Sequence, residues 1–164
     1  MSYELYEAIV DGEIETAKQL VANGEDIHHV TANDKWSYLH QVADTKQTPP
    51  ESFQYLIDQG LDVNAIDSYG YTPLIYAVRQ RNVEGMWLLL ENGADKLIEH
   101  RSERGVNALK MSLHEKPFVY DVIKLLLDFG ADPDAKTEKG KSVRELVNLL
   151  DDMDPKIIEL VSHY

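Results

Sequence analysis

The chain has 164 residues, 43% of them hydrophobic, and its 16 basic and 29 acidic side chains leave a net charge of −13. Apolar residues recur throughout, which excludes intrinsic disorder, and the acidic balance argues against binding nucleic-acid phosphates or anionic membrane surfaces. No apolar run approaches the ~18 residues of a spanning helix, Met1 to Glu15 is too acidic for a signal peptide, and the absence of Cys removes disulfide and thiolate chemistry. A soluble, cytoplasmic protein without cofactors, monomeric when free, is expected.

In chain order, the same pattern keeps returning. Leu5 opens a series continued by Leu39, Leu74, Leu109 and, out of character, Arg144. Four positions before the later members stand Lys35, Gly70, Gly105 and Gly140, the three glycines 35 residues apart. A second glycine closes each unit, at Gly24, Gly60, Gly93 and Gly130, with intervals of 36, 33 and 37. A repeat with fixed ends and variable length is the reading.

Within a unit, a short helical pattern follows the Leu, as in Leu74-Ile75-Tyr76-Ala77-Val78. A more apolar helix then follows a break, as in Val119 to Phe129, with Val122, Ile123, Leu126 and Leu127 on one face. Thr72-Pro73 suits a helix start, since Thr caps free amides and Pro presets the first turn. Gly130 suits the left-handed residue that closes a helix. The stretch Asp62 to Gly70 between units is rich in turn residues, and Gly70 supplies positive φ. Bare helix pairs of the tetratricopeptide kind carry no such turn and do not fit.

The segments Asp67-Ser68-Tyr69-Gly70-Tyr71-Thr72-Pro73-Leu74 and Leu88-Leu89-Leu90-Glu91-Asn92-Gly93-Ala94-Asp95 resemble the opening and closing motifs of the ankyrin repeat family. The resemblance covers nearly the whole chain. It implies an all-α solenoid of about five stacked helix–turn–helix units with projecting β-turn fingers, forming a small stand-alone protein. One domain, 1–164, would comprise a cap at 3–30, repeats at 31–66, 67–101 and 102–136, and a C-terminal cap at 137–164. Lys35 in place of the turn Gly, Tyr38 and Ala108 in place of Pro, and Arg144 in place of the core Leu depart from the pattern. The last suits an end repeat with a polar outer face.

The breaks at Asp44–Glu51 and Leu113–Pro117 are longer than the family pattern, either as tolerated surface insertions or as extensions of a binding surface. Catalytic and cofactor motifs are missing, so no enzyme is expected. His40 is expected to hydrogen-bond neighbouring turns. His28-His29 lack ligand spacing, and His100, His114 and His163 are isolated. Asp154-Pro155, at the end of an acidic run without calcium-loop spacing, is expected to cap the last helix.

The resemblance further implies a groove, lined by fingers and first helices, that binds another protein. Candidate contacts are Asp34, Trp36, Asp44, Tyr69, Tyr71, Tyr76, Arg79, Arg104 and His114. Trp36, Tyr69 and Tyr71 are of the types that dominate interface hot spots, although such rings can also pack between fingers and stiffen the scaffold. Residues 1–66 hold 12 acids and 3 bases, net −9, against 17 and 13, net −4, in residues 67–164. The asymmetry serves solubility or steers a basic partner. The expected function is therefore non-catalytic binding of a folded, basic protein, for instance as an inhibitor or bacterial toxin-immunity protein. The alternative is a regulatory subunit or adaptor of a multiprotein complex. Trp87 stands where Lys18, Gln54 and Lys124 stand in other units, so it should face solvent as a secondary interface anchor.

Overall fold

The computed structural model describes all residues, 1–164. Ten α-helices form five antiparallel pairs: α1 Tyr3–Val10 with α2 Ile14–Ala22, α3 Tyr38–Asp44 with α4 Pro50–Asp58, α5 Pro73–Arg79 with α6 Val83–Glu91, α7 Ala108–Met111 with α8 Tyr120–Asp128, and α9 Val143–Leu149 with α10 Pro155–Ser162. A 3₁₀ turn, Ala94–Leu97, follows α6, and there is no strand. The helices have four to nine residues, below the ~12–15 at which an isolated helix is even marginal in water. They exist because they stack.

Stacking is by layer. First helices pack on first helices (α1 on α3, α3 on α5, α5 on α7), and second on second (α2 on α4, α4 on α6, α6 on α8, α8 on α10). One apolar core of 38 buried residues runs through the array. The leucine column forms its spine, with Leu5, Leu39, Leu74 and Leu109 all at most 2% exposed. This is the expected helical solenoid, each unit covering the apolar face its neighbour cannot bury alone.

Side-chain caps set where the first helices begin. Ser2, Ser37, Thr72, Asn107 and Ser142 each accept from an amide in the first turn, and Ser37 and Ser142 form full capping boxes with His40 and Glu145. Val119 and Phe129 turn out to be the caps of α8 rather than members of it. Gly130 takes φ 94° after α8, as its position requires. Asp154 caps α10, accepting from the Lys156 amide at 2.9 Å, with Pro155 at the first position.

The departures from the repeat pattern have physical roles. Tyr38, in the Pro position, is fully buried, and its hydroxyl accepts from the Ser2 amide at 3.0 Å, tying the first pair to the second. Lys35 holds the turn with φ 55°. Arg144 turns its guanidinium to Asp134 and to the Val161 carbonyl instead of into a leucine stack.

The two long breaks are fastened to the third pair. Thr48 is 3% exposed, and its carbonyl accepts from Asn82 Nδ2 at 2.8 Å. The Glu115 carbonyl accepts from Arg81 Nη2 at 2.8 Å. Neither segment hangs free.

Candidate functional site

The finger turns stack edge to edge. Two backbone bonds close each: Thr31 N to Trp36 O with Lys35 N to Thr31 O, Asp67 N to Tyr71 O with Gly70 N to Asp67 O, and Ser102 N to Val106 O with Gly105 N to Ser102 O. The second turn docks on the first through Ser68 N to Asp34 O at 2.9 Å and Ser68 Oγ to Asn33 O at 3.1 Å. Gly70 lies so close to the third turn that a Cβ there would sit 3.0 Å from Ser102 Cα.

Asp67 organises the centre. Its carboxylate is 4% exposed and accepts four hydrogen bonds: Tyr69 N (2.9 Å) and Tyr71 N (2.8 Å) on Oδ1, Trp36 Nε1 (2.9 Å) and Tyr76 Oη (2.6 Å) on Oδ2. A buried carboxylate is tolerated because each oxygen is paired twice. Around Tyr76 the rings of Trp36 (5.3 Å, 70°), Tyr71 (5.4 Å, 84°) and His40 (6.1 Å, 83°) meet edge to face, the favoured arrangement for ring quadrupoles. Arg79 lies 4.8 Å above the Tyr76 ring and pairs with Asp44, which also accepts from Gln80 Nε2 at 3.0 Å.

His40 joins two units as expected: Nε2 donates to Ala65 O (3.1 Å) and Tyr71 O (3.3 Å), while Nδ1 accepts from the Ser37 amide. Burial pushes its pKa below the ordinary histidine value. The Tyr76 phenol is pushed up, first by burial and then by its bond to Asp67. Tyr69 is also raised, chiefly by its hydrogen bond to Asp34.

The candidate residues separate into three groups. Asp34, Trp36, Asp44, Tyr71, Tyr76 and Arg79 belong to one bonded cluster, with Tyr69 on its rim, 53% exposed and donating to Asp34 Oδ1 at 2.9 Å. Tyr76 departs from its expected place on the surface: it is 2% exposed, presents nothing to a partner, and supports the rings that are accessible. Arg104 and His114 are exposed and make no side-chain hydrogen bond or ion pair, His114 lying in a polar depression with Arg79, Arg81 and Lys46.

A larger depression of about 640 Å³ adjoins the cluster, lined in part by Tyr3, Tyr6, Trp36, Gln41, Asp44 and Lys46. The Gln41 amide oxygen is buried there without a partner. Sequence reasoning missed Tyr3, Tyr6 and Gln41, although the Tyr3/Tyr6 spacing places both rings on adjacent turns of one helix face. It also missed Asp67 as a hub. The signal there was an acid opening a unit just before an aromatic-rich turn.

The family described as ankyrin repeats (3 copies) matches residues 5–100. The chain belongs to the ankyrin repeat family. Among curated proteins it is similar to zygote-specific protein 3 of Chlamydomonas reinhardtii, at 35% identity over 105 residues, 60% of this chain and 27% of that protein. It is also similar to ankyrin repeat and SOCS box protein 6 of Homo sapiens, at 30% identity over 148 residues, 79% of this chain and 35% of that one. The chain thus spans about a third or less of the curated relatives it matches. Ankyrin repeats generally mediate protein–protein interaction and are typically non-catalytic. No helix of this ankyrin repeat protein is long and apolar enough to cross a membrane.

Proposed function

We propose that this ankyrin repeat protein is a non-catalytic binding module whose finger-and-first-helix surface engages a folded, basic protein in the cytoplasm. One observation carries the reading. A rim of partly accessible aromatic rings (Tyr69, Trp36 and Tyr71) sits on a preorganised network where residues 1–66, net charge −9, meet the next repeat. Rings already fixed by hydrogen bonds (Trp36 and Tyr69) or by edge-to-face packing on Tyr76 (Tyr71) lose little freedom on binding, and the surrounding acids attract a basic surface. An inhibitor or immunity protein acting by occlusion is the specific form proposed. The adaptor reading has support of its own, since the matched relatives carry this region as a minor part of much longer chains.

Affinity capture with mass spectrometry identifies the partner, and Tyr69→Ala then tests the surface. Tyr69 is exposed, so the variant should stay folded and bind at least tenfold more weakly, as hot-spot truncations do. Association should slow as salt shortens the Debye length below ~8 Å. A folded variant that binds normally refutes the surface, and salt-independent association refutes the steering. A captured toxin or nuclease supports inhibition, whereas a stable multiprotein assembly supports the adaptor.

A further inference from the structure

The outward face of the second helices repeats one arrangement with one exception. Six residues before each closing glycine stand Lys18, Gln54, Trp87 and Lys124. In three units that side chain bonds an acid one turn away: Lys18 to Glu15 at 2.7 Å, Gln54 to Asp58 at 2.7 Å, and Lys124 to Asp128 at 2.5 Å. In α6 the indole bonds neither Glu84 nor Glu91, the acids at the corresponding offsets. Both carboxylates stay exposed and outside every ion pair of the chain. Trp87 itself is 49% exposed. Beside it lies a depression of about 390 Å³ lined by Pro50, Val83, Glu84, Trp87, Leu88 and Leu125, drawn from three successive helix pairs and apolar except for Glu84.

An apolar floor with an indole, bracketed along one helix face by two unpaired carboxylates, has a definite complement. Leucine-like side chains fill the floor. Lysine or arginine beside them meets Glu84, Glu91 and the π-face of Trp87, the best aromatic platform for a cation. A second copy of this chain fits poorly, because it would bring net charge −13 and the same carboxylates against themselves. We infer that the α6 face around Trp87 is a docking site for a basic amphipathic helix of another protein, separate from the finger surface. Apolar residues at i, i+3, i+4 and i+7 enter the depression, and flanking basic residues pair with Glu84 and Glu91.

The test uses the full chain and a synthetic peptide with Leu at i, i+3, i+4 and i+7 and Lys elsewhere. Its controls are a scrambled peptide of the same composition and one with Glu replacing Lys. Calorimetry should show the amphipathic Lys peptide binding at least tenfold tighter than the scramble, with the Glu peptide silent. Trp87→Lys restores what Lys18 and Lys124 do in other units, so it should keep the fold by circular dichroism and lose at least tenfold in affinity. Glu84→Gln with Glu91→Gln should lose severalfold and flatten the salt dependence. The inference is overturned if no peptide binds, if scrambled and amphipathic peptides bind alike through net charge alone, or if Trp87→Lys binds normally. Self-association abolished by Trp87→Lys would likewise overturn it and assign the face to a second copy.

Discussion

Trp36 and Asp67, 31 residues apart, are joined by a 2.9 Å hydrogen bond from the indole N–H to a carboxylate that is 4% exposed. The same oxygen takes the Tyr76 hydroxyl, so one buried acid links the first finger, the second finger and α5. The partly accessible rings of the finger surface are therefore anchored on a group buried beneath them.

Asp67→Asn tests this directly. The amide can keep one oxygen for the Tyr69 and Tyr71 amides, but its NH₂ then faces the Trp36 and Tyr76 donors. The Tyr76 hydroxyl can turn and accept from that NH₂, but the Trp36 N–H, a donor only, loses its acceptor, at a cost of about 1–3 kcal/mol. Urea unfolding should show this loss; a variant as stable as the parent would mean that the carboxylate is not the hub.

Tyr76→Phe keeps the ring stack and removes only the hydroxyl. Oδ2 retains Trp36, so the loss should be smaller, about 1 kcal/mol. Because Tyr76 is buried, partner affinity measured well below the melting temperature should be nearly unchanged. A large loss of affinity in a stable variant would put Tyr76 in the interface after all.

His40 sets a pH dependence. Its native pKa is lowered by burial, while the unfolded residue titrates near pH ~6.5. Unfolded chains then bind more protons, so the stability from this site is complete above that pH and falls as pH drops through it toward the native value. Protonation also removes the Nδ1 acceptor of the Ser37 amide. Melting temperature should decline as pH falls below about 6.5, with a shallower decline in His40→Gln. Equal slopes in the two proteins would remove His40 as the cause.

Lys35 holds φ 55° where the next two turns have Gly70 and Gly105 at φ 78° and 74°. Left-handed backbone strains a residue with a Cβ, and glycine relieves this while gaining freedom in the unfolded chain. Lys35→Gly should gain about 0.5–1 kcal/mol, which is about 2–4 °C in Tm at the upper figure. Lys35→Ala, which keeps the strain, should gain nothing.

Local chemistry and period determined much of this protein. Capping residues before the first helices, leucines in one column and closing glycines are local signals, and they specify helix pairs and stacking without any long-range information. The polar equivalents of Trp87 already placed it on the outside, and the family pattern placed His40 between turns.

Only the tertiary structure decided which groove residues are surface and which are support. A period of 35 puts Asp34 beside Tyr69 and Asp44 beside Arg79, but it does not say which way each side chain turns. That depends on the volume left by neighbouring columns. Tyr76 lies inward because Trp36, Tyr71 and His40 surround it and Asp67 satisfies its hydroxyl. Likewise Thr48 is buried in a long break because Asn82 of the next unit claims its carbonyl. The Asp34–Tyr69, Asp44–Arg79 and Thr48–Asn82 pairings each join two successive units, so no single repeat read by itself contains both partners.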